Sequence, residues 1–252
     1  MTSFTTALIS AGCIFLGGLL GMMLKRHLPV HHLDEASKDT IKVVSGILAS
    51  LAALVLGLLI SSAKSSFDAT NSGIAQGSAK IILLDRTLAD YGPDAQDARK
   101  QLREAVLFTA DRVWSKTNDG PTGSRGFEIS NGMERLQGIL RRLTPATKPQ
   151  EEALSEAMQL TSDIAQTRWF LIEQQSPLPT PVLVVLVVWL VLLHLSMGLF
   201  APCNGTVFVV LVVSALSVSS ALLLVMEMSH PLDGIVKVSD APVRKALEFL
   251  SK

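Results

Sequence analysis

Few residues of this chain have types and spacing that could carry chemistry, and most lie in or beside apolar runs. His27, His31, His32, Asp34 and Glu35 crowd one short segment. Imidazole and carboxylate ligands suit zinc or copper, but the spacing matches no known site, and adjacent histidines rarely hold one ion. The segment reads first as a polar loop among lipid headgroups, with His27, His31 and His32 as weak metal-ligand candidates. His194 is the only ionisable side chain deep in an apolar run. A residue of that kind is costly inside a membrane, so it either bonds a neighbouring helix as a neutral ring or lines an aqueous path. Ser214, Ser217 and Ala221 recur at helical spacing as a weakly polar stripe, which suits close packing or a pore wall. Glu227 closes the same run, as a solvated carboxylate at the membrane surface or as part of an ion-binding ring. His194, Ser214, Ser217 and Glu227 are therefore the candidate pore-lining residues. Gly17-x-x-x-Gly21 and Gly57 are the candidates for close helix packing. No nucleotide-binding glycine loop, paired-histidine zinc motif or nucleophile elbow occurs. No catalytic residue or cofactor is assigned, and the chain reads as a non-enzyme.

The elements that must position these residues follow from composition. The 252 residues are 48% hydrophobic and only 17% charged, against about a quarter charged in ordinary soluble domains. Mean hydropathy is +0.40, which points the same way. Lys and Arg number 22 and Asp and Glu 22, so no basic surface is available for nucleic acid. Cys13 and Cys203 lie far apart in different surroundings, which excludes a disulfide framework and a thiolate cluster.

Four stretches reach the roughly 20 apolar residues that a bilayer crossing needs. They run from about residue 5 to 24, 43 to 63, 181 to 200 and 206 to 226, the last two parted by the turn-forming run Ala201-Pro202-Cys203-Asn204-Gly205. The first has no Lys or Arg ahead of it, unlike a secretory signal. Ser10-Ala11-Gly12-Cys13 faintly resembles a lipoprotein cleavage site, but the apolar run continues well past Cys13, so it reads as a span. The plan is a hairpin over 1–63, an extramembrane region over 64–177, a second hairpin over 178–227 and a tail over 228–252.

The middle region carries 14 Lys and Arg against 15 Asp and Glu. Its breaks fall at Tyr91-Gly92-Pro93-Asp94 and at Asn118-Asp119-Gly120-Pro121-Thr122-Gly123. Gly92 suits a helix C-terminus and Pro93 the following first turn, where Asp94 and Asp97 meet the positive dipole end. Beyond it Ala98, Leu102, Ala105, Val106 and Val113 share one face, Met133, Leu136, Leu140 and Leu143 mark a further helix, and Leu154, Ala157, Leu160, Ile164 and Leu171 another. Without a strong breaker, Asp39 to Tyr91 fits one helix on the order of 75 Å long. Ala69, Ser72, Gly73, Ala75, Gly77 and Ala79 favour close packing along it. Trp169 and Trp189 read as packing or interface anchors. Ser239-Asp240-Ala241-Pro242 starts an amphipathic tail helix with Val243, Ala246, Leu247 and Leu250 on its apolar face, expected to dock on the membrane or the helical domain. The fold class is all-α.

Several of these blocks match one family. They are Gly57-Leu58-Leu59-Ile60 running on to Ala63-Lys64-Ser65-Ser66; Leu84-Asp85-Arg86, Leu88, Tyr91-Gly92-Pro93 and Ala98-Arg99; and a long block from Trp189 through Gly198-Leu199-Phe200-Ala201-Pro202-Cys203-Asn204-Gly205-Thr206 to Glu227, Pro231, Gly234, Val238-Ser239, Pro242 and Ala246-Leu247. Together they resemble the bestrophin-like domain family of bacterial integral membrane proteins. The resemblance implies a distant likeness to bestrophins, pentameric anion channels with two transmembrane hairpins flanking a helical cytosolic domain. It therefore implies a homo-oligomer, a pentamer, in the bacterial inner membrane. The chain departs from bestrophins in having only 5% aromatic residues, hence no aromatic-rich pore neck, and no acidic calcium-binding run.

Sidedness is pulled both ways. Lys25, Arg26, Lys38 and Lys42 favour a cytoplasmic first loop, whereas Lys64, Lys237, Arg244 and Lys245, and the bestrophin likeness, favour a cytoplasmic helical domain. The expected partners are the lipid bilayer, small ions and further copies of the chain. Two functions remain: an oligomeric channel for small anions or cations, and a non-transporting scaffold or envelope sensor that binds a protein through its helical domain.

Overall fold

A computed structural model describes residues 3–29, 34–114, 132–173, 180–232 and 235–251, and among them there is no strand. Helix α1 spans Ser3–Lys25, α2 Glu35–Tyr91, α3 Gln96–Trp114, α4 132–140, α5 Lys148–Glu173, α6 Thr180–Phe200, α7 Gly205–Met228 and α8 Ala241–Leu250. α1, α2, α6 and α7 are each long and apolar enough to cross a membrane. The chain divides into two compact units. One comprises Met1–Phe67 and Pro177–Val236, the other Asp68–Ser176 and Lys237–Lys252, and the first boundary falls inside α2. The 118–123 break, and His31 and His32, lie outside the described residues.

In the first unit the spans are apolar on nearly every side, so hydrophobic pattern alone cannot orient them; small residues and polar ties do so. α1 packs against both α6 and α7. An alanine Cβ at Gly17 would lie 2.8 Å from Val191 O, and one at Gly21 would overlap Leu195 O and sit 2.9 Å from Leu199 N. One at Gly198 would overlap Gly18 O. The α1 and α6 backbones are therefore in direct contact, which only glycine on both sides permits. Gly57 is exposed, and a Cβ there meets nothing within 4 Å, so it makes no close helix contact in this chain. The core joins Ile14 of α1, Ala52, Leu59 and Ala63 of α2, Leu186 and Leu190 of α6, and Ala215, Leu222 and Val225 of α7, with Trp189 packed at its edge. Lys25 Nζ donates to Ala201 O at 2.9 Å, where a cation meets the negative end of the α6 dipole. Asn204 caps α7 by accepting from Val207 N at 2.9 Å.

The second unit is amphipathic in the ordinary way. Leu84, Leu88 and Tyr91 of α2, Ala98, Leu102 and Val106 of α3, Leu136 and Leu140 of α4, and Ala157, Leu160 and Ile164 of α5 are all buried. α2 ends at Gly92, whose φ of +109° is open to glycine and strained for L side chains. Gly92→Ala is expected to cost about 1–3 kcal/mol, seen as faster hydrogen exchange in the turns on either side of it. Asp85 accepts from Arg99 Nε and Nη2 at 2.8 Å each, a two-point clamp of α2 on α3. Lys80 reaches Asp163 of α5 at 3.1 Å. A Cβ at Gly73 would lie 2.8 Å from the Leu171 side chain. Gln150 accepts from Ala146 N and Thr147 N while donating to Tyr91 O at 3.1 Å. α8 packs on α3 through a face bearing Val243, Ala246 and Leu250. Trp114 Nε1 donates to Val238 O at 3.1 Å. The α8 start departs from a simple aspartate cap: Ser239 Oγ accepts from Ala241 N at 3.2 Å, and Asp240 instead accepts from Arg244 at 2.6 Å.

Candidate functional site

The polar residues of α6 and α7 come together chiefly at His194. The ring is 5% exposed. Its Nδ1 lies 2.9 Å from Leu190 O and its Nε2 3.0 Å from Ser214 Oγ, which in turn lies 3.1 Å from Leu211 O. The sequence brings them there simply: Leu190 is one helical turn before His194, and Leu211 one turn before Ser214. α1 approaches on the far side, where a Cβ on Gly18 would lie 3.1 Å from the Leu211 side chain and 3.6 Å from His194 O.

Counting hydrogens shows what this chain of groups can do. Both ends are carbonyl oxygens, which only accept, so three links need three hydrogens. A neutral imidazole and one hydroxyl supply two. With Nδ1–H on Leu190 O, the Ser214 hydroxyl must turn either to Nε2 or to Leu211 O. The arrangement is thus an α6–α7 tie with a rotating hydroxyl, held within one subunit. Ser214→Ala leaves Nε2 buried and unbonded and is expected to cost about 1–3 kcal/mol. His194→Leu removes the ring and lets Ser214 fall back on Leu211 O, a smaller loss. Melting of the detergent-solubilised protein would rank the two.

The other candidates separate. Ser217 is exposed and donates to Val213 O at 2.8 Å, and Ser220 beside it is exposed and donates to Ser217 O at 2.7 Å. Ser214 is half-buried and turned to His194, whereas Ser217 is exposed. Glu227 is a correction: it is 6% exposed, not solvated, and its carboxylate accepts from the Ile235 backbone N–H. His27 is exposed with Nδ1 3.2 Å from Met23 O, and Asp34 caps α2 by accepting from Ser37 N at 2.9 Å. No group of three His, Cys, Asp or Glu side chains suited to a metal ion occurs among the described residues.

Sequence reasoning missed several ties because each partner is remote in the chain. Ser219 donates to Ala7 O, joining α7 to α1. Ser45 of α2 donates to Ser196 of α6 at 3.0 Å. It also missed an outward strip of α2, where Gly46, Ala49, Ser50, Ala53, Gly57 and Ser61 are exposed at three- to four-residue spacing, turned away around the helix from buried Ala52, Leu59 and Ala63. That spacing was legible; which face stays uncovered was not. Ser50 donates to Gly46 O at 3.0 Å, so its hydroxyl proton is spent internally. Large apolar residues, Ile47, Leu54 and Leu58, flank this face and are also exposed.

Four membrane-crossing helices joined to a helical unit define an all-α integral membrane protein. The chain belongs to the bestrophin-like family: the Bestrophin-like domain matches residues 12–243, from within α1 to the first turn of α8. No curated protein and no solved structure gives a significant match.

Proposed function

We propose that the protein is an oligomeric channel for small ions in the bacterial inner membrane, with no catalytic step. The observation that carries this reading is the outward face of α2. A spanning helix that met only lipid would gain by presenting large apolar side chains all round. Here small and hydroxyl-bearing residues recur along one strip, and nothing in the described chain covers them. Repeated around a ring of subunits, such strips leave room for a water-filled path with weakly polar walls. His194 and Glu227 take no part in that wall, because both are buried within the subunit, and Ser214 is half-buried against His194. Family membership supports the same reading.

The test is ionic current through planar bilayers under a salt gradient, in a Cys13→Ser/Cys203→Ser background. Charged thiol reagents should reduce the current when cysteine replaces Ser61 or Gly57, and should leave it unchanged with Val44→Cys, exposed on a different side of α2. Silence from folded, oligomeric protein across voltage, pH and calcium would overturn the channel. The scaffold reading would then gain, drawing on Trp169 and Phe170, which are 61% and 53% exposed near the end of α5.

A further inference from the structure

The buried carboxylate of Glu227 is tied to the most exposed large apolar side chain among the described residues. α7 has 24 residues, roughly 36 Å of helix, against a hydrocarbon layer of about 30 Å. Its last turn, which carries Glu227, therefore reaches the headgroup layer. The chain folds back there: His230 N–H donates to Glu227 O at 3.2 Å, Ser229 Oγ donates to Val225 O at 2.8 Å, and Pro231 is buried. The Glu227 carboxylate then accepts the Ile235 N–H, which holds that peptide level with the end of the span. From this fixed point Ile235 and Val236 project 78% and 40% exposed, followed by exposed Lys237.

We propose that Ile235 and Val236 insert into the headgroup–acyl boundary of the bilayer that α7 crosses, and that Glu227 is the positioning residue that holds them there. Two apolar side chains are far too little area for a stable protein interface, whereas they match the shallow insertion by which interfacial segments bind lipid. The burial of Glu227 follows from the same arrangement: its carboxylate is a clasp for the returning chain.

The test places a nitroxide at Ile235→Cys in the Cys13→Ser/Cys203→Ser protein, in vesicles of phosphatidylethanolamine and phosphatidylglycerol. Labels at Leu216→Cys in α7 and at Asp94→Cys, exposed in the second unit, serve as lipid and water references. The 235 label should collide with oxygen several-fold more readily, relative to a water-soluble nickel chelate, than the 94 label does. Glu227→Ala should abolish that preference at 235 and leave the 216 label unchanged. Glu227→Gln, whose amide oxygen still accepts from Ile235 N–H, should keep it. A 235 label as open to nickel as the 94 label, or shielded from both reagents as in a protein contact, would overturn the insertion. An unchanged signal in E227A, or its loss in E227Q, would overturn the role of the carboxylate.

Discussion

Replacing Gly198 or Gly21 by alanine is expected to pull α1 away from α6 and leave little folded protein. The added methyl at Gly198 would occupy the position of Gly18 O, and at Gly21 that of Leu195 O. Backbone atoms in helices cannot turn aside as a flexible side chain can. The helices must separate by ångströms, loosening the contacts around Ile14 and the tie from Ser219 to Ala7 O. A loss above about 3 kcal/mol follows, at the upper end of overpacking costs. Gly57→Ala is the matched control. Its methyl meets nothing within 4 Å, so the gain in helix propensity dominates and the variant should be neutral or more stable by up to about 1 kcal/mol. Monodispersity and melting in detergent separate these outcomes. Wild-type behaviour of Gly198→Ala would refute the close α1–α6 packing.

The same contrast marks how far the sequence could be read. Gly17, Gly21 and Gly57 all sit in apolar runs and look alike. What distinguishes them is which side of each span meets another helix. Lipid is as apolar as a helix interior, so the pattern of large residues leaves no trace of that choice. The four spans were legible because their length and lack of charge are properties of single segments. Gly198 belongs to a conspicuous block, yet its role appears only with Gly18 opposite. Glu227 misled for a related reason: a carboxylate at the end of an apolar run ordinarily meets water, and its actual donor is a backbone amide eight residues on.

The second large effect is expected at Asp85. Its carboxylate is nearly buried and binds Arg99 through two nitrogens. Asp85→Ala would leave a guanidinium, about two-thirds covered, without that acceptor. Breaking a fully buried pair costs about 3–5 kcal/mol; discounted for the exposed third of Arg99, about 2–3 kcal/mol remains. The loss should appear as faster amide exchange in the second half of α2 and in α3, a local readout suited to a two-unit protein. Lys80→Ala, which breaks a pair with both partners about a third exposed, should cost less than about 1 kcal/mol. The hydrogen bond from Arg99 to Asp85 raises the Arg99 pKa above its ordinary value, against an opposing desolvation. A raised cationic group stabilises fully below its unfolded pKa, and that contribution fades only as pH climbs through the folded value. For an arginine this window lies above about pH 12, so the Arg99 contribution should stay constant from pH 5 to 9. Arg168 has the opposite shift, its pKa lowered by burial and opposed by Glu134.

Here again the parts were visible and the pairing was not. Tyr91-Gly92-Pro93 announces a sharp turn, and the turn brings Arg99 back beside Asp85, 14 residues earlier. Helix periodicity relates residues three and four apart on one helix; it says nothing of which residues meet across a reversal.

The glycine seam between α1 and α6 also sets an order of events during synthesis. Gly17 and Gly21 leave the ribosome roughly 180 residues before Gly198, a wait of about 10–35 s at ordinary elongation rates. Throughout that interval α1 has its own backbone hydrogen bonds satisfied and is stable in lipid alone, but its bare glycine strip has no mate. The first hairpin must therefore cross the bilayer for that interval with this face of α1 unpaired. Only the arrival of α6 supplies the mate for that strip.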